Sequence, residues 1–97
     1  MASSAEAAEL AKLLGFNLNE RALAEALKEF EEFEREAREI RRRSADWEFI
    51  EKQPEPVRAA LKLLVETGDL RLAARVAGLP LDEFDEIRLR ARIPIVV

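Results

Sequence analysis

The chain has 97 residues, 48% hydrophobic and 37% charged, with 16 basic side chains against 20 acidic ones and a net charge of −4. It contains no histidine, cysteine or tyrosine, which removes the usual zinc, haem and iron–sulfur ligands, the thiol nucleophile and any side chain that titrates near neutrality unperturbed. Three serines and one threonine remain, with no imidazole to activate them, so the composition points to a non-enzymatic binding or assembly protein without metal or cofactor. In chain order, Ser3 followed by Glu6 is a capping-box pattern for a short helix that Gly15 closes. Asn19 is placed as the next N-cap, with Leu18 and Leu23 as a hydrophobic staple across it. From Glu20 to Arg43 there is no Gly, no Pro and no β-branched residue except Ile40, which predicts one long helix. The stretch Ser44 to Gln53 reads two ways, as an extension of that helix or as a short separate one after a break at Ser44.

Pro54 and Pro56 then force a boundary, because each disfavours helix in the residue before it. Pro56 suits the first position of a helix running to Thr67 and closed by Gly68, with Val57, Ala60, Leu61, Leu64 and Val65 as its apolar face. Asp69 caps a shorter helix ending at Gly78, and a last helix is expected from Leu81 to Arg92, stopped by Pro94. Ile93-Pro94-Ile95-Val96-Val97 form an extended, apolar C-terminal arm. No segment alternates with period two for long enough to make a sheet, so the fold class is all-α.

At this size the chain makes one small cooperative domain, organised as an N-terminal helical region, 1–53, and a C-terminal unit, 54–97. No apolar run reaches the roughly 18 residues that cross a membrane, and the start of the chain lacks signal-peptide character. The absence of cysteine fits a reducing cytoplasm. Twelve of the 16 basic residues are Arg while Asn, Gln and Met are scarce, a balance that suggests a heat-adapted source. Net negative charge gives no general attraction to nucleic acid or to an anionic membrane.

Two constellations rise above this background. On the long helix Leu23, Ala26, Phe30, Phe33, Ala37 and Ile40 recur at alternating spacings of three and four, and the series continues through Ser44 to Trp47, the pattern of a heptad association seam. The charges beside it are segregated: residues 28–36 hold two basic against five acidic side chains, net −3, and residues 38–43 hold four against one, net +3. Within one chain this order suits the helix macrodipole and the i,i+4 pairs Glu31–Arg35, Glu34–Arg38 and Glu39–Arg43. Between two chains it suits an antiparallel dimer, acidic half on basic half, with Phe33 across from Ala37 and Leu23 across from Trp47.

The second constellation spans Asp69 to Arg90. Ala74 lies four residues before Gly78, Leu79 plugs the turn, and Phe84 and Ile87 fall six and nine residues past the glycine, which is helix-turn-helix spacing. The helix after the turn opens with Asp82, Glu83, Asp85 and Glu86. These acids suit a helix N-terminus and would repel phosphate, so the motif reads first as a packing unit. As a DNA reader it would rely on Arg71, Arg75, Arg88, Arg90 and Arg92.

The segments Val57-Arg58-Ala59-Ala60-Leu61-Lys62-Leu63-Leu64, Ala73-Ala74-Arg75-Val76-Ala77-Gly78-Leu79, Leu81-Asp82-Glu83-Phe84 and Ile93-Pro94-Ile95 resemble a family of small prokaryotic, largely archaeal, helix-turn-helix proteins related to VapB-type antitoxins. The resemblance covers residues 57–95, under half of the chain; Pro80 stands where that family has a capping Ser or Thr, and the charged long helix has no counterpart in it. It implies an antitoxin-like adaptor, with a PIN-domain ribonuclease toxin as partner. Together with the seam, the expectation is a cytoplasmic homodimer that binds protein through its long helix, its C-terminal arm, or both. The alternative is a dimeric DNA-binding regulator whose long helix sets the separation of two reading heads.

Overall fold

The computed structural model describes residues 20–97 and, ahead of them, Glu6, Glu9 and Leu13. Of the helix expected from Ser3 to Gly15, Glu6, Glu9 and Leu13 are helical; its two ends, the Asn19 cap and the staple at Leu18 lie outside the described residues. All regular structure among the described residues is helical. Helix α1, Glu20–Ser44, runs for 25 residues, about 37 Å at 1.5 Å per residue. It has an acid in its first turn and Arg41, Arg42 and Arg43 in its last, both favourable to the macrodipole.

The chain breaks at Ala45 and Asp46 and starts again as α2, Trp47–Lys52. Asp46 is responsible: its carboxylate accepts the Phe49 backbone N–H at 3.1 Å, which caps α2, and its own backbone N–H donates to the Ala91 carbonyl at 2.8 Å. A short acceptor side chain gains more from ending a helix than from sitting inside one. The seam therefore does not continue to Trp47. The Trp47 indole instead donates to the Arg42 carbonyl at 2.8 Å, satisfying one of the open carbonyls at the end of α1.

Helix α3, Val57–Thr67, follows Pro56 at the N-cap position, one residue ahead of the helix rather than first within it. Proline offers no capping side chain, and the Glu55 carboxylate takes that role by accepting from the Ala59 N–H at 3.2 Å and the Arg58 guanidinium at 2.7 Å. Gly68 ends α3 in the left-handed region, φ 70°, with its N–H on the Leu64 carbonyl at 2.8 Å. Asp69 caps α4, Leu70–Ala77, by accepting the Leu72 N–H at 3.0 Å. At the far end Gly78 has φ 69°; its N–H reaches the Arg75 carbonyl and the Leu79 N–H reaches the Ala74 carbonyl, each at 3.1 Å. This is a Schellman close, and it places Leu79 over Ala74.

Helix α5 is Leu81–Arg90, two residues shorter than the sequence suggests. Pro94 is not what stops it. Arg92 adopts φ 55°, its N–H bonds to the Leu89 carbonyl at 3.1 Å and the Ile93 N–H to the Arg88 carbonyl at 3.3 Å. The same wrapping as at Gly78 forms here without a glycine, and it swings Ile93 into the core at 1% exposure.

The core gathers Ile50 from α2, Leu61, Leu64 and Val65 from α3, Phe84 from α5 and Ile93 from the arm, all buried. Buried alanines at 60, 73, 74, 77 and 91 let the helices approach closely, and α4 packs most extensively on α3, then on α5. By contacts the chain divides into residues 1–35 and 36–97. The division falls inside α1 and not at Pro54, because Arg41 and Ile50 anchor residues 36–53 to the C-terminal helices.

Candidate association site

The two halves of α1 meet different fates. In residues 36–43 the seam face is covered, Ala37 being buried and Ile40 half-buried, while Ser44 is exposed. Beside them Arg41, only 4% exposed, donates from Nε to the Val65 carbonyl at 2.7 Å and from Nη2 to the Glu66 carbonyl at 3.4 Å. Arg38 Nε also donates to the Glu66 carbonyl at 3.3 Å. Arg42 holds the Glu66 carboxylate through two nitrogens at 2.7–2.9 Å. Three arginines thus satisfy carbonyls and the acid at the C-terminal end of α3, where open acceptors and the negative pole of the helix favour cations.

Nothing in the spacing of α1 reveals this clamp, because its partners lie 24 to 28 residues away. The pairs Glu31–Arg35, Glu34–Arg38 and Glu39–Arg43 do not close among the described residues. Arg38 turns to Glu66 instead, while Arg21–Glu25 forms at 3.8 Å.

In residues 20–35 the apolar face is open. Phe30 is 60% and Phe33 41% exposed, Ala26 is exposed, and Leu23 is half-buried. The C-terminal arm is divided. Ile93 is buried and Pro94 and Val96 are half-buried, whereas Ile95 and Val97 are exposed.

Of the five arginines considered for DNA, Arg71, Arg75, Arg90 and Arg92 are exposed. Arg88 is not available. Its Nε donates to Asp85 at 2.6 Å and its Nη1 to the Ile93 carbonyl at 2.9 Å, with the side chain 11% exposed; it braces the turn that buries Ile93. Asp82, Glu83 and Glu86 are exposed on the first turns of α5, where Pro80 provides no side-chain cap and acids compensate for it. Beside the turn between α4 and α5, an open depression is lined by Arg71, Ala74, Arg75, Leu79 and Leu81, a feature the helix-turn-helix spacing does not announce.

Among the described residues there is no cluster of acids suited to a metal ion, and no helix is long and apolar enough to cross a membrane. No protein-family model, curated protein or solved structure matches the chain.

Proposed function

We propose that this protein is a non-enzymatic, antitoxin-like binding module that self-associates through the first half of its long helix. The observation that carries the reading is the exposure of Phe30 and Phe33 on one face of α1. Two aromatic rings a turn apart bury a large apolar area when covered, and aromatic side chains are enriched where proteins dock. The partner class implied by the resemblance, a PIN-domain ribonuclease, belongs to this proposal, and an affinity pull-down from the native host with identification of the bound protein tests it.

The self-association is tested by Phe30→Ala combined with Phe33→Ala. Both rings are exposed within the chain, so the variant keeps its helical circular dichroism while light scattering reports a shift from dimer to monomer. Wild type that remains monomeric at high concentration refutes the reading.

The alternative, a DNA-binding regulator, has less in its favour. Arg88 is engaged internally, and the helix that would enter a groove leads with Asp82 and Glu83, whose charge opposes phosphate.

A further inference from the structure

The open part of the α1 face and the depression beside the α4–α5 turn are opposite in charge and alike in apolar character. Helical spacing sets Glu29 on one side of the Phe30 and Phe33 rings and Glu34 on the other. Neither acid takes part in an ion pair among the described residues, and the same is true of Arg71 and Arg75. Those two arginines stand one turn apart on α4, and with Ala74, Leu79 and the exposed Leu81 they line the depression. Most other cations from α2 onward are neutralised where they stand: Lys52 by Glu48, Arg58 by Glu55, Lys62 by Glu51 and Arg88 by Asp85. Arg90 and Arg92 do not line the depression.

Pairing of two long helices seam to seam is the arrangement that charge segregation alone suggests. Three of the four arginines of its basic half are already engaged, because Arg38, Arg41 and Arg42 bind the end of α3, and Ala37 is buried. An acidic, aromatic face left without that partner needs a basic, apolar receptor, and the same chain carries one. We infer that the depression receives the Phe30–Phe33 face of a second copy, Glu29 and Glu34 meeting Arg71 and Arg75 while the rings cover Ala74, Leu79 and Leu81. In this dimer each copy gives one face and receives one, the two equivalent contacts being related by a two-fold axis. The inference deepens the self-association reading above and rests on it.

Two charge-reversed variants test it by sedimentation equilibrium: Arg71→Glu with Arg75→Glu, and Glu29→Arg with Glu34→Arg. Each alone sets like charges against each other at both contacts and weakens self-association by at least about tenfold, with helical circular dichroism unchanged. Mixed in equal amounts, the two restore opposite charges at both contacts and form a heterodimer at the concentration where wild type dimerises. If the Arg71→Glu, Arg75→Glu variant self-associates as well as wild type, or if the mixture stays monomeric while wild type dimerises, the docking surface is refuted and self-association stands. If wild type is monomeric throughout, the self-association reading fails and this inference with it.

Discussion

Gly68 is constrained twice, which distinguishes it from Gly78. Both close a helix in the left-handed region, with φ 70° and 69°, where an added side chain costs about 1–2 kcal/mol. A Cβ on Gly78 would meet nothing within 4 Å, whereas one on Gly68 would lie 2.8 Å from Nη1 and 3.0 Å from Cζ of Arg41. That guanidinium is buried and bonded to the Val65 carbonyl at 2.7 Å, so moving it aside weakens a charge-assisted bond in a poorly hydrated place. Urea denaturation should find Gly68→Ala more destabilising than Gly78→Ala by about 1–2 kcal/mol. Equal losses would mean that Arg41 yields without consequence. Arg92 shows the converse case, a side chain tolerated at φ 55° because the turn it makes delivers Ile93 to the core.

At the scale of elements, α3 depends on side chains outside its own span at both ends. Arg38, Arg41 and Arg42 serve its C-terminus, and Glu55 serves its N-terminus. The Arg58 guanidinium hydrogen-bonded to Glu55 holds that carboxyl below the ordinary glutamate range, with the Ala59 N–H helping and partial loss of hydration opposing. A carboxyl whose folded-state pKa is depressed contributes its stabilisation in full above its unfolded value and loses it as the pH falls through the folded one. The difference in melting temperature between wild type and Glu55→Gln should therefore be largest near neutrality and vanish in acid. Circular dichroism melts across a pH series measure this, and a difference independent of pH would show that ionised Glu55 contributes nothing specific.

For the molecule as a whole, the core is completed from beyond the last helix. Ile93 reaches it through the left-handed turn at Arg92, and Arg88 holds the Ile93 carbonyl at 2.9 Å. Removing most of a fully buried isoleucine side chain costs about 2–5 kcal/mol, a large share of what a small domain has. Ile93→Ala should show a loss of that order in denaturant titrations. Deleting residues 95–97, two of which are exposed, should leave stability within about 1 kcal/mol of wild type. A deletion as damaging as Ile93→Ala would show that the end of the arm packs against the chain in solution.

The sequence by itself determined that the chain is helical and where most helices begin and end. Those signals are local: Gly68 and Gly78 supply the left-handed backbone that closes α3 and α4, Asp69 supplies a cap three residues from its donor, and the spacing of Ala60, Leu61, Leu64 and Val65 marks the buried face of α3. Tertiary structure alone decided the rest. Of the two readings left open after Ser44 it selected the break: α1 ends at Ser44, and the Asp46 backbone N–H meets Ala91, which is 45 positions further along. Helix α5 stops at Arg90 because the core takes Ile93, a choice that no residue within the helix announces. The arginines of α1 could serve their own helix, a second chain or α3. A long side chain with a delocalised charge binds whichever acceptors the fold brings within reach, and here those are the carbonyls and the carboxylate at the end of α3. The same folding covers Ala37 and leaves Phe30 and Phe33 open, so one apolar stripe becomes partly core and partly surface, a distinction that periodicity cannot carry.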